Sequence, residues 1–244
     1  MNSCEVFVHY HNEDLLQRTE PFRTHLTDFK YIQCGHIPRS FDTRNILRWS
    51  DFPMYHRDFP ESFLGYQAYR LASHSTKDYV VLLEYDCKVY PEFYTELNQC
   101  IERNVDLLSF APLPLQDVYV GEINEFTWAV CEYLHELGIS YQELTKGYTV
   151  WAPTPAILVR TKLLREFFES DFFKNFTSKY HDKSKFAHQI ERLLSVYFMW
   201  RKYSIQGSST TVIHHCMANS HNTASDAIIG STDERINNVL NLKD

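Results

Sequence analysis

Short apolar strands separated by amphipathic helices constrain this chain most, because that alternation fixes how the layers stack and which way the strands run. Glu5 to Tyr10 (EVFVHY) reads as an opening strand and Lys30 to Cys34 (KYIQC) as a second. Tyr79 to Glu84 (YVVLLE) reads as a buried third, Asp106 to Phe110 as a fourth, and Pro155 to Arg160 (PAILVR) as a fifth. Between them apolar residues recur at offsets of 0, 4, 7 and 8: Leu64, Ala68, Leu71, Ala72; Phe93, Leu97, Cys100, Ile101; Phe126, Val130, Tyr133, Leu134; and Phe186, Ile190, Leu193, Leu194. Each set is one face of an amphipathic helix. Gly138 follows the third set where a left-handed stop is expected. The fold class is therefore α/β, a single Rossmann-like domain over 1–218 with a mostly parallel central sheet and helices on both faces. Residues 219–244 read as a polar tail or short helix.

Glycine removes three enzyme classes. The 7 glycines among 244 residues are never closer than nine positions. A Walker loop, a G-x-G-x-x-G turn and a G-x-S-x-G elbow are all impossible at that spacing. Charge removes another class: 24 Lys plus Arg against 31 Asp plus Glu give a formal net of −7. With no basic stripe to displace counterions, no nucleic-acid partner is expected. Apolar runs fall far short of the roughly 20 residues that span a bilayer, so no transmembrane segment is expected.

No leader is visible at Met1 to Tyr10, so the chain is expected to be cytoplasmic. The 6 cysteines form no C-x-x-C pair and read as reduced thiols rather than structural zinc ligands. The sequon at Asn175 is accordingly expected to stay unglycosylated. The stretch Ile37 to Pro60, with three prolines and five aromatics, reads as a long ordered loop. Aromatics are in surplus, 15% of the chain; such rings mostly fill core but also form walls on which a base or sugar stacks.

Ligands in an open parallel sheet bind beyond the carboxyl ends of its strands. The third strand ends in Leu83-Glu84-Tyr85-Asp86-Cys87, and alternation puts Glu84 and Asp86 on one side of the chain, about 7 Å apart at Cα. Two hard oxygen ligands so placed can hold a divalent cation and leave positions open for phosphate oxygens. They read equally as two solvated carboxylates where a strand leaves the sheet.

An apolar strand running into an acidic x-Asp, with a helix starting at Pro91-Glu92-Phe93, resembles the Asp-x-Asp region of GT-A-fold glycosyltransferases, here as Glu-x-Asp. The helix Glu61 to Lys77 resembles the segment before that motif. Phe7-Val8-His9-Tyr10-His11-Asn12, a strand entering a helix, resembles the part that holds the donor nucleotide. The resemblance implies a metal-dependent transferase with Mn2+ or Mg2+, a UDP- or GDP-linked sugar donor and a glycan or glycoconjugate acceptor. His9, Tyr10, Asn12 and Tyr85 are the implied nucleotide-sugar-binding residues, and Glu84 and Asp86 the implied metal ligands.

Three further segments extend the resemblance. Glu191 lies in His188-Gln189-Ile190-Glu191-Arg192-Leu193-Leu194, similar to the Glu-Arg-Leu segment of bacterial and viral polysaccharide glycosyltransferases. On the flank of its helix stripe, it would be the base of an inverting reaction, or else a carboxylate paired with Arg192 or Lys185. Thr211 to Cys216 (TVIHHC) offers the late histidine that completes such metal sites. Adjacent histidines face opposite ways on a strand, so one at most is a ligand, and His214, sharing a face with Val212, is the expected one. Trp151, in the segment Gly147 to Thr154 that would line donor sugar and acceptor, reads as a stacking platform or as core. A non-catalytic nucleotide-sugar-binding module, or a metal-dependent phosphohydrolase on a similar scaffold, is the second reading.

Overall fold

The computed structural model describes residues 3–35, 46–53, 64–111, 113–114, 125–151, 155–180 and 186–216. The expected tail at 219–244 lies outside them. Strands form at β1 (Cys4–Tyr10), β2 (Lys30–Gln33), β3 (Ile46–Arg48), β4 (Tyr79–Glu84), β5 (Cys87–Val89) and β6 (Leu107–Ser109). They continue with β7 (Leu113–Pro114), β8 (Val150–Trp151), β9 (Ala156–Arg160), β10 (Ile205–Gly207) and β11 (Ile213–His215). Helices are α1 (Glu13–Arg18), α2 (Leu64–Ala72), α3 (Phe93–Glu102), α4 (Glu125–Glu136), α5 (Tyr141–Thr145), α6 (Thr161–Glu169), α7 (Asp171–Lys179) and α8 (Phe186–Trp200).

Among the described residues, seven strands make the central sheet in the order β10-β6-β9-β4-β1-β2-β3. All neighbours in it are parallel except β9, which runs antiparallel to both β4 and β6. The sequence pattern located β9 but not its direction. Ala156, Ile157, Leu158 and Val159 are buried on both faces, and a continuous apolar run carries no information about polarity.

Alternation along the strands sends side chains into two cores. Phe7, Ile32, Val80, Leu82, Ile157 and Val159 meet α2, α4, α6, α7 and α8 on one face. Val6, Val8, Val81, Leu83 and Leu158 meet Leu16 of α1 and Phe93, Leu97 and Cys100 of α3 on the other. Most of the described aromatic surplus lies in the first core. Phe167, Phe168 and Phe173 pack with ring centroids 4.9 to 5.1 Å apart.

The expected stop after α4 is a Schellman turn. Gly138, at φ +69, donates to the His135 carbonyl at 2.9 Å, and Ile139 donates to that of Leu134 at 2.8 Å. Among the described residues, no atom beyond the chain neighbours lies within 4 Å of a Cβ placed on Gly138, so substitution meets backbone strain but no clash there. Gly138→Ala is expected to cost about 1 kcal/mol, read as a lower urea midpoint at unchanged slope.

Within the expected loop Ile37 to Pro60, the structure places edge strand β3 and a single 3-10 turn at Trp49–Asp51, with residues 36–45 and 54–63 outside the described set. Three residues of strand are too few to show a period. The Trp49 ring, buried, meets Tyr66 of α2 edge-on at 5.8 Å and ties this segment to the first core.

Candidate active site at the carboxyl end of the sheet

Strand β4 lies inside the sheet, and the turn after it is pinned from several sides. Glu84 donates its backbone N–H to the Pro155 carbonyl at 2.8 Å, and Tyr85 donates to the His9 carbonyl at 3.1 Å. The Asp86 carbonyl accepts from Cys216 at 3.1 Å. Arg23, buried in the 3-10 segment Glu20–Arg23, donates from Nη1 to the Tyr85 carbonyl at 2.8 Å and to Thr19 Oγ1 at 3.1 Å. Its Nη2 donates to the Leu16 carbonyl at 2.6 Å. No sequence pattern pointed to Arg23, whose bond to Tyr85 spans 62 positions.

After the turn, β5 leaves the main sheet and pairs antiparallel with β11, setting His215 opposite Cys87 and His214 opposite Lys88. This register brings His215 over the carboxylates. Its Nε2 lies 3.2 Å from Glu84 Oε2 and 3.4 Å from Asp86 Oδ1. One ligand atom from each of Glu84, Asp86 and His215 lies within 4.8 Å of the other two. The structure brings His215, and not the expected His214, to the carboxylates; His214 faces the other way, beside Lys88. The strand begins only at Ile213, so Val212 was no guide to which face His214 takes.

Burial pushes the Glu84 carboxyl up, but the imidazole of His215 beside it, with His9 and His11 farther off, outweighs burial and holds Glu84 well below the usual carboxylate range. Burial pushes His215 down, and Asp86 and Glu84 more than reverse it, raising the imidazole to about 10. The Nε2 of His215 thus faces both acids, whose charge favours its protonated form. Its stabilisation is complete below the ordinary imidazole value of 6.5 and fades as pH rises through about 10. That of Glu84 is complete above 4.5 and fades as pH falls through its depressed value. In EDTA the parent is expected to lose denaturant resistance between pH 6.5 and 10 relative to His215→Ala, a gap that equal slopes of the two variants over that range would refute.

The other expected residues fall as follows. His9 is buried on β1 in register with Glu84, and burial keeps its imidazole below the usual value. Tyr10 packs in the second core and donates its hydroxyl to Glu13 Oε1 at 3.0 Å. Asn12 caps α1, accepting from the Leu15 N–H at 3.1 Å. The buried Tyr85 ring meets His11 edge-on at 5.7 Å. Glu191 stands on α8 and Trp151 on β8, and their side chains lie outside the described set.

The donor set of two carboxylates and one imidazole suits a divalent ion. About 2.1 Å bonds around an octahedral ion place ligand atoms roughly 3 to 4 Å apart, so small side-chain adjustments would close the cluster. His215→Ala is expected to lose divalent-metal binding as completely as substitution of Asp86, with His214→Ala close to the parent. Equal and small effects from both would remove histidine from the site.

Solved structures with this architecture include the galactosyltransferase LgtC bound to donor and acceptor sugar analogues, with TM-score 0.52 and 12% identity over 98% of each chain. Glucosyl-3-phosphoglycerate synthase from Mycobacterium tuberculosis, with Mn2+, UDP and phosphoglyceric acid, gives 0.51 and 14% over 100% of this chain and 80% of its own. The fold is that of the GT-A glycosyltransferases. The bifunctional glycosyltransferase WbbM gives 0.50 and 13% identity over 85% of this chain, which spans only 44% of that longer one. No family model matches the sequence, and no curated protein matches it. No helix among the described residues is long and apolar enough to cross a membrane.

Proposed function

We propose that this GT-A domain is a metal-dependent glycosyltransferase that moves a sugar from a UDP- or GDP-linked donor to a hydroxyl of a glycan or glycoconjugate. The observation that carries the reading is the convergence of Glu84, Asp86 and His215 beyond the carboxyl end of β4, where an open α/β sheet binds its ligand. Glu84, Asp86 and His215 would hold Mn2+ or Mg2+, and the imidazole in the set favours manganese over the more strictly oxygen-seeking magnesium. When bound, the ion supplies charge to the departing diphosphate.

The remaining chemistry belongs to the chain. The pinned turn at Tyr85 holds both acids in place before any ligand arrives, so little reorganisation is needed during reaction. Glu191 on α8 would accept the proton of the acceptor hydroxyl as it attacks the anomeric carbon, which makes the reaction inverting. Trp151 would offer a ring face to donor sugar or acceptor.

The deciding experiment is turnover of UDP- and GDP-sugars with a panel of glycan acceptors and manganese. Sugar transfer supports the proposal. Binding without turnover favours a nucleotide-sugar-binding module, and phosphate release from phosphate esters without sugar transfer favours a phosphohydrolase.

A further inference from the structure

One buried polar atom at the site has no role in the chemistry above. His9 is 6% exposed, and among the described residues nothing hydrogen-bonds to its buried Nε2. An imidazole nitrogen cut off from water costs free energy unless something polar meets it, so a buried orphan beside a ligand site marks where a ligand or water belongs. His9 stands opposite Glu84 in the parallel register of β1 and β4, so the two side chains rise on the same face of the sheet. The charges of Glu84, Asp86 and His215 all reach its ring.

The metal cluster itself consists of Glu84, Asp86 and His215, without His9. A direct fourth bond from His9 is therefore not what the geometry offers. A divalent ion held by three protein atoms keeps waters in its remaining positions, and those waters need hydrogen-bond partners.

We propose that His9 is a positioning residue of the metal site, its Nε2 hydrogen-bonded to a water in the coordination sphere of the ion held by Glu84, Asp86 and His215. This rests on the metal-site reading of the proposed function and adds a partner to it. The resemblance marked His9 for the nucleotide sugar instead, because its pairing with Glu84 on β4 is set by the fold and not by the pattern of β1.

Two polar substitutions separate the hydrogen bond from mere bulk. His9→Gln carries its amide near the place of the histidine Nε2, while His9→Asn reaches only as far as Nδ1. Manganese binding is measured without nucleotide, from the spin-resonance signal of free Mn2+, for the parent, Asp86→Asn and both His9 variants. The parent is expected to bind saturably and Asp86→Asn not at all. His9→Asn should weaken binding by about 10- to 100-fold, the usual loss when a partner of the ligand shell is removed, and His9→Gln should recover most of it. Nitrogen coupling to the bound Mn2+, from the single coordinated imidazole of His215, should persist in both His9 variants.

Parent-like affinity in His9→Asn, or equal losses in both variants, overturns the role of His9 while leaving the metal site intact. Nitrogen coupling that disappears with His9 makes it a direct ligand and overturns the water-mediated arrangement. Failure of the parent to bind Mn2+, or undiminished binding by Asp86→Asn, rejects the metal-site reading itself and the inference with it.

Discussion

Asp86→Ala is expected to abolish manganese-dependent binding of the nucleoside diphosphate. Asp86 is fully buried, lies 3.4 Å from His215 Nε2, and is fixed through its own backbone by Cys216. Loss of a group that only supports a metal ligand costs about 10- to 100-fold in affinity, and loss of the ligand itself should exceed that range. Glu84→Ala should be the weaker of the two if Glu84 acts through water. The isosteric Asp86→Asn removes the charge while keeping the volume, so it should reproduce the loss without a packing defect. Calorimetric titration with Mn2+ and UDP or GDP reads all three. Parent-like affinity in Asp86→Asn would move the site elsewhere.

The Glu191 substitution tests the chemistry rather than the binding. A general base is worth roughly 10²- to 10⁴-fold in rate, whereas an exposed helix ion pair is worth about 0.3 to 0.5 kcal/mol of stability. Those sizes are easily separated. Glu191→Gln is expected to leave folding and donor affinity near the parent while transfer falls by at least two decades. A variant that transfers normally and melts lower would make Glu191 structural and remove the support for inversion.

How much of this was legible depended on whether the signal was local. The run Tyr79 to Leu83 is apolar because β4 is buried on both faces, so the strand and its acidic exit at Glu84 were readable together. The helical offsets of α2, α3, α4 and α8 were readable because one stripe of each is buried in one of the two cores. α6 and α7 went unread although Leu164, Phe167, Phe172 and Phe176 are buried, because their stripes are interrupted at Ser170, which caps α7 by accepting from Phe173. The reversed β9 was hidden for a different reason: strand direction is set by long-range pairing with β4, as in Tyr79 opposite Arg160.

The same division runs through the site. Glu84 and Asp86 share one short segment, so their spacing allowed joint action, and the segment's resemblance to an Asp-x-Asp region favoured it. The choice between His214 and His215 depends on register against β5, more than a hundred positions earlier. Arg23 reaches the turn only through tertiary folding. Asn12 shows the converse, since a side chain assigned to a nucleotide by resemblance also carries an ordinary helix-capping signal, which the structure displays.

Metal-dependent recognition of a nucleotide sugar is most directly tested by thermal shift of the intact chain with UDP- and GDP-sugars, each with manganese and each with EDTA. A ligand that binds only the folded state at a hundredfold excess over Kd should raise the melting temperature of a domain this size by about 5 to 10 °C. The expected result is such a rise for at least one nucleotide sugar with manganese and little or none in EDTA. An equal rise in EDTA, or no rise with any nucleotide sugar, would contradict it.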